Sequence, residues 1–179
     1  MSDGAVKVNV IIDDKVFHKF SLFESFYRKR GYLSPLIFAL ILSVSAIICF
    51  MLGGALLGVV LLIVGLGLPT FHIQKIFRAI KMQIRVLDLE NPKTVYTLRF
   101  TEANNGIEVS NHGGGDEPLY YEWISIHAVY RVDGCIYLYV LPEKAFLLPD
   151  GQAEEGTDAL WQLLTKMIPS EKVHDRRKK

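Results

Sequence analysis

The sequence contains one uncharged run of 41 residues, from Gly31 to Phe71, without an Asp, Glu, Lys, Arg or His. About 20 apolar residues in a helix cross a hydrocarbon core of about 30 Å, so this run is about twice the length that one crossing needs. A surface helix of a soluble protein has a polar face, whereas this run is apolar on all sides. The run therefore predicts a membrane protein whose two transmembrane helices, about Ser34 to Met51 and Ala55 to Phe71, turn back at Gly53-Gly54.

Basic residues flank this predicted hairpin on both sides. Seven of them are expected to contact the membrane surface: Arg28, Lys29, Arg30, Lys75, Arg78, Lys81 and Arg85. The positive-inside rule places both flanks in the cytoplasm, which predicts a multi-pass protein of the inner membrane with both termini cytoplasmic. A re-entrant hairpin that does not cross completely is the alternative. The second basic group either binds anionic lipids or forms a solvated face.

Small residues recur within the hairpin. Ala39, Ser43 and Ala46 fall on one side of the first helix, and Gly54, Gly58 and Gly65 on one side of the second. Gly54 and Gly58 also form a GxxxG pattern, which allows helices to approach closely. The pattern predicts either packing of the two helices on each other, which we favour, or a homo-oligomer formed through the hairpin.

The remaining chain predicts one small domain built from segments on both sides of the hairpin. The predicted divisions are an N-terminal strand segment (1–14), a juxtamembrane amphipathic helix ended by Gly31 and Pro35 (15–33), the hairpin (34–71), a basic juxtamembrane helix (72–91), a cytosolic β domain (92–168) and a basic tail (169–179). Alternating apolar residues and turn signals predict strands at about 95–100, 107–109, 120–132, 135–141 and 145–148, followed by a helix at 154–168. We expect the strand Val6 to Ile12 to join the edge of this sheet, because a lone strand leaves its backbone groups unpaired.

Several segments of the C-terminal half match a known pattern. They are Gly106-Ile107-Glu108-Val109, Tyr121-Glu122-Trp123 with Ile126, Ile136-Tyr137-Leu138-Tyr139, and Ala145-Phe146-Leu147-Leu148-Pro149. In these segments the chain resembles the YcxB-like family of bacterial membrane proteins. The resemblance implies a membrane α+β protein, in which a transmembrane helical hairpin precedes an antiparallel, pleckstrin-homology-like (PH-like) β domain closed by a C-terminal helix. It implies no catalytic residues.

The sequence offers no recognisable catalytic or metal-binding constellation. The five histidines are scattered and none forms a metal-ligand spacing. His127 and Cys135 could face each other across a hairpin, but a nucleophile also needs an oriented base and an oxyanion site. Outside the basic flanks of the hairpin, the sequence contains no basic patch interleaved with aromatic residues, the pattern that would indicate nucleic-acid binding. We therefore expect no catalytic residue, no cofactor, no metal and no nucleic-acid partner.

Two functional hypotheses follow from the sequence. In the first, the chain is a membrane-anchored interaction or adaptor protein that holds a membrane or cytosolic protein at the bilayer. In the second, the hairpin itself is the working part, as in a small membrane protein that confers immunity or stabilises a complex. The expected partners are the lipid bilayer and an unidentified protein.

Overall fold

The computed structural model describes residues 5–92, 94–101, 105–112 and 117–177. The helices are α1 (Asp14–Leu22), α2 (Leu33–Met51), α3 (Ala55–Val86) and α4 (Thr157–Met167). The strands are β1 (Ala5–Ile11), β2 (Thr94–Thr101), β3 (Gly106–Asn111), β4 (Leu119–Glu122), β5 (Ala128–Val132), β6 (Cys135–Leu141), β7 (Lys144–Pro149) and β8 (Val173–Asp175). Two long apolar helices followed by β-sheets and a C-terminal helix form the α+β layout that the sequence predicts.

The chain divides into two units. Residues Met1–Phe17 and Leu89–Lys179 form one, the β unit, and His18–Asp88 form the other, the helical unit. The β unit contains two four-stranded sheets, with strand orders β1-β2-β3-β4 (sheet 1) and β7-β6-β5-β8 (sheet 2). The β5–β8 pair is parallel and the other pairs are antiparallel.

The N-terminal strand joins sheet 1, as expected from the sequence. β1 runs antiparallel to β2, with Val8 opposite Leu98, and both side chains are fully buried. The other edge of β1 is covered by the segment after β7. There the amide of Gln152 donates to the carbonyl of Ile11, its Oε1 accepts from the Ile11 amide, and the Glu154 amide donates to the Lys7 carbonyl. These bonds satisfy backbone groups that an open edge would expose.

The single strand predicted at 120–132 is wrong. The chain leaves sheet 1 after Glu122, makes a 3₁₀ turn over Trp123–Ser125, and enters sheet 2 at Ala128. Trp123 and Ile126 are both buried, and this spacing of three does not fit the two-residue alternation of a strand. The turn allows one continuous segment of chain to contribute a strand to each sheet.

The predicted helix boundaries around the hairpin also need correction. α3 continues without a break to Val86, through Pro69 and across the predicted division between residues 71 and 72. From His72 onward the residues of α3 become more polar and basic, so this part of the helix suits water and not lipid. The backbone remains helical across this change. Pro35 does not end the preceding helix, since it lies in the first turn of α2, where a missing N–H costs no helical bond.

The segment before α2 and the C-terminal segment also differ from the prediction. α1 is followed by a π-helical turn, Phe23–Arg28, in which the Lys29 amide donates to the Glu24 carbonyl. α4 begins three residues later than predicted, after Gly156. The predicted basic tail contains β8, which pairs with β5. Residues 1–4 and 178–179, at the ends of the predicted N-terminal and tail segments, lie outside the described residues.

Candidate functional site

The two helices of the hairpin pack through a seam of small residues. Ala39 and Ala46 on α2, and Gly58 and Gly65 on α3, are buried. A Cβ atom added to Gly65 would lie 3.1 Å from the Cβ of Leu42 and 3.6 Å from the Ala39 carbonyl oxygen. The glycine therefore permits a close approach of the two helices within the chain, which is the arrangement that small residues allow in apolar surroundings.

Of the six residues predicted for this packing, Gly54 lies outside the seam and Ser43 is only half-buried beside it. Gly54 is exposed and precedes α3 as its N-terminal cap, so it belongs to the turn and not to the helix face. It follows Gly53, whose positive φ of 80° a residue with a side chain rarely adopts. The GxxxG pattern therefore does not present two glycines on one helix face. Ser43 is half-buried beside the seam.

The outward faces of the hairpin are apolar and exposed. Leu40 is 65% exposed and Ile63 is 67% exposed. α2 and α3 are each long and apolar enough to cross a membrane. At about 1.5 Å per residue, α2 is about 28 Å long and α3 about 48 Å long. The length of α3 exceeds one hydrocarbon core, so its basic C-terminal part would extend beyond it.

The basic residues before the hairpin are not equivalent. Arg28 is half-buried and its Nη1 lies 3.0 Å from Oε1 of Glu24, while the more exposed Lys29 places its Nζ 3.7 Å from the same oxygen. Arg30 is exposed. Aromatic rings lie close by: Phe23 stacks on Tyr27 with ring centroids 5.0 Å apart. Aromatic and basic residues together are typical of a membrane–water interface.

The basic residues after the hairpin share one side of α3. Lys75, Arg78, Lys81 and Arg85 are all exposed. At 3.6 residues per turn they fall within roughly a third of the helix circumference. The sequence contains no Asp or Glu between Glu24 and Asp88. This face therefore carries positive charge that no acid on the same helix neutralises.

The resemblance motif is mostly core of the β unit. Trp123 stacks on Phe100 with ring centroids 6.2 Å apart, and Ile126 and Pro149 are buried. Glu122 is exposed at the end of β4. The remaining motif residues, Tyr121 and Phe146, contact each other edge to face. In addition, Nζ of Lys144 donates to the Tyr121 hydroxyl at 2.8 Å.

A buried hydroxyl connects the two sheets. Oη of Tyr96 on β2 accepts from the Leu147 amide at 2.8 Å and donates to the Leu147 carbonyl at 3.1 Å. Burial raises the pKa of Tyr96, against the opposing effect of the Leu147 hydrogen bond. The hydroxyl therefore keeps its proton and can both donate and accept.

An ion pair joins α4 to sheet 2. Nη2 of Arg131 donates to Oδ1 of Asp158 at 2.6 Å, and its guanidinium lies 5.5 Å from the centre of the Trp161 ring. The Arg131 side chain is 7% exposed, and its Nε has no hydrogen-bond partner among the described residues. Burial raises the pKa of the neighbouring Asp150, against the opposing charge of Arg131. Hydrogen bonds from Arg177 lower the pKa of Asp175, at the end of β8, to about 2.

Three polar side chains, Asn9, Thr97 and His112, form a hydrogen-bonded cluster on sheet 1. The hydroxyl of Thr97 donates to Oδ1 of Asn9 at 2.9 Å and lies 2.7 Å from Nε2 of His112. With the hydroxyl hydrogen directed to Asn9, His112 donates to Thr97 and is not placed as its base. Thr97 is itself buried. The cluster links β1, β2 and the residue that follows β3, and it presents no exposed nucleophile.

The structure does not bring His127 and Cys135 together. The His127 amide donates to the Tyr139 carbonyl at one end of the β5–β6 hairpin, whereas Cys135 pairs with Val132 at the other. The residues are therefore at opposite ends, because the tight turn at Asp133-Gly134 fixes the register. Among residues 5–92, 94–101, 105–112 and 117–177, no group of three His, Cys, Asp or Glu side chains could hold a metal ion.

No family model, curated protein or solved structure matches this chain. Function is therefore inferred from the geometry and charge of the molecule itself.

Sequence reasoning missed the Tyr96–Leu147 and Arg131–Asp158 pairs. The first pair is separated by 51 residues and the second by 27. Arg131 did offer a signal, since a charged residue stands between Tyr130 and Val132 in a predicted strand. A charge at such a position is usually paired when it is buried, but the pattern does not name its partner.

Proposed function

We propose that this chain is a membrane-anchored, non-enzymatic interaction protein, which holds a protein partner at the cytoplasmic face of the inner membrane. The helical hairpin is the anchor and the β unit is the binding module. Anchoring a module beside the membrane raises its effective concentration for other membrane-bound proteins. Membership of the YcxB-like family and a PH-like fold of the β unit are part of this proposal. Two mainly antiparallel sheets, with helix α4 after seven of their eight strands, support it.

The pairing of β1 with β2 carries the proposed topology. β1 precedes the hairpin and β2 follows it, yet the two strands form one sheet through a register from Ala5–Thr101 to Ile11–Thr94. Both flanks of the hairpin must then lie on one side of any membrane that the hairpin enters. An even number of crossings satisfies this requirement. The exposed basic residues on both flanks favour the cytoplasmic side.

The β4 segment is the proposed binding surface. β1 is covered at its outer edge, but β4 is the other edge of sheet 1, and no described strand pairs with its outer side. Leu119, Tyr120 and Ile124 in this segment are 41, 50 and 74% exposed. Exposed apolar residues at a sheet edge are typical of surfaces that pair with another chain.

The hairpin as the working part is the second candidate. Its small residues are used in the seam between α2 and α3, so its outward faces present large apolar side chains such as Leu40, Ile47 and Ile63. These faces could contact another membrane protein. Under this alternative the chain confers immunity or stabilises a complex through the hairpin.

Cysteine labelling in intact cells tests the topology. In a background with Cys49→Ala and Cys135→Ala, we expect Lys15→Cys and Glu171→Cys to react with a membrane-impermeant reagent only after the cells are opened. Leu52→Cys in the connecting turn, which is 82% exposed, should react in intact cells. Labelling of either flank in intact cells would contradict the orientation. Protection of Leu52→Cys would indicate a re-entrant hairpin.

Purification of the full chain in detergent tests the binding surface. We expect Ile124→Glu to abolish co-purification of a stoichiometric partner. Leu141→Glu, a matched change at a residue that is 54% exposed in the β6–β7 region, should retain it. Loss through Leu40→Ala and Ile63→Ala, with retention by Ile124→Glu, would favour the hairpin alternative. A stoichiometric nucleotide or metal in the purified chain would contradict the non-enzymatic proposal.

A further inference from the structure

A groove of 460 Å³ opens between α2 and α3 within the helical unit. It lies beyond the small-residue seam, toward the start of α2. Its walls include Ser34 and Phe38 from α2, and Leu68, Phe71, His72 and Lys75 from α3. The groove therefore has an apolar part and a polar, basic part.

The groove begins where the buried glycines of α3 end. Gly58 and Gly65 are seven residues apart and both face α2. The next position in this heptad is His72, which is half-buried and lines the groove. Close helix approach depends on small residues, and Gly65 is the last buried glycine of α3 before the groove residues Leu68 and Phe71.

The chemistry of the groove suits an amphiphile with an anionic head. Phe38, Leu68 and Phe71 provide an apolar wall, and Lys75 provides a cation at the other end. Ser34 lies in the first turn of α2, where the helix dipole favours negative charge and the Ser34 hydroxyl can donate a hydrogen bond. The amides of Leu33 and Leu36 already donate to the carbonyls of Arg30 and Tyr32. No Asp or Glu occurs between Glu24 and Asp88 to compete for Lys75.

We propose that this groove binds one anionic glycerophospholipid of the cytoplasmic leaflet. Its phosphodiester lies among Ser34, His72 and Lys75, and one acyl chain lies along Phe38, Leu68 and Phe71. The inference rests on the proposed membrane anchoring but not on the identity of a protein partner. It assigns a role to Lys75 that Lys81, on the same basic face but outside the groove, does not share.

Native mass spectrometry of the full chain tests the site. The protein is purified in detergent and supplied with equal amounts of phosphatidylglycerol and phosphatidylcholine of the same acyl length. We expect wild type to retain one phosphatidylglycerol preferentially, and Lys75→Gln to reduce that preference roughly fivefold, the effect of one cation near an anionic surface. Lys81→Gln is the matched control and should stay within about twofold of wild type.

Three further measurements separate the outcomes. Phe38→Ala should weaken retention of both lipids, and water-soluble glycerol phosphate should not displace the bound lipid. Lys75→Arg should bind as wild type, which separates loss of charge from loss of fold. Equal effects of Lys75→Gln and Lys81→Gln, or displacement by glycerol phosphate, would overturn the site. Because this assay uses detergent, its result is independent of the cysteine labelling that tests the topology.

Discussion

The hydroxyl of Tyr96 binds both backbone polar groups of a single residue, Leu147, and so joins sheet 1 to the edge strand of sheet 2. In this position a side chain replaces a neighbouring strand, since it satisfies an N–H and a C=O that would otherwise be buried without partners. Tyr96 also packs edge to face on Phe146, with ring centroids 5.2 Å apart.

Tyr96→Phe should destabilise the β unit by about 1–3 kcal/mol, because the substitution leaves the amide and carbonyl of Leu147 buried and unsatisfied. Tryptophan fluorescence during denaturant unfolding measures this change in the full chain, since Trp123 and Trp161 both lie in the β unit. Tyr121→Phe is the matched control. It removes only an exposed bond with Lys144, and we expect a change below about 0.5 kcal/mol. Equal effects of the two substitutions would contradict the bridging role of Tyr96.

Asp158→Ala should cost about 1–3 kcal/mol, because it leaves the buried guanidinium of Arg131 without its carboxylate. Removing one partner of a fully buried pair costs about 3–5 kcal/mol, and the exposure of Asp158 (84%) reduces this value. Glu154→Ala breaks the exposed pair with Lys7 and should cost less than about 1 kcal/mol. The same unfolding measurement compares them. A smaller effect at Asp158 than at Glu154 would refute the assignment of the Arg131 pair as a joint between α4 and sheet 2.

Gly65→Ala should destabilise the hairpin relative to Gly67→Ala. An added Cβ at Gly65 meets Leu42 at 3.1 Å, whereas at Gly67 it meets nothing within 4 Å. Both changes gain up to about 1 kcal/mol of helix propensity, so their difference isolates the contact with α2. Loss of helical circular dichroism on heating in detergent measures it. A hairpin that tolerates both substitutions equally would show that α2 and α3 are not closely packed at this level.

Two aspartates of the β unit should respond to pH in opposite directions. The pKa of Asp175 is about 2 in the folded chain, below its ordinary value of 3.8, so its contribution to stability is present above about pH 4 and is lost as the pH falls toward 2. The pKa of Asp150 is raised above its ordinary value, so its protonated form favours the folded state. Its contribution to stability is therefore lost as the pH rises through the raised pKa of the folded chain. NMR titration of the carboxyl carbons should give a higher midpoint for Asp150 than for Asp175. Asp175→Asn should therefore be less stable than wild type at pH 6 and approach it near pH 2.

The hairpin and most strands could be predicted because their signals are local. The run from Gly31 to Phe71 has no charge, and Val6 to Ile12 alternates over a few residues. The sheet change at Trp123 could not be predicted, because a buried residue in a 3₁₀ turn and one in a strand are equally apolar. β8 could not be predicted either, since its three residues, Val173–Asp175, lie in a charged segment and depend on β5 for their pairing.

The candidate groove could not be predicted either, because residues far apart in the sequence form it. The sequence predicts membrane-surface contact for Lys75 only as one of seven basic residues. Its distinct position depends on Ser34 and Phe38, which lie about 40 residues earlier in the sequence. No periodicity within α3 reports the distance to α2.

The pairing of β1 with β2 also sets an order of events during synthesis. About 80 residues separate Ile11 from Thr94, and a ribosome adds roughly 5–20 residues per second. β1 therefore leaves the ribosome several seconds before its partner strand exists. Sheet 1 cannot close until all of α2 and α3 has been translated, so formation of the β unit reports that the helical unit has already been made.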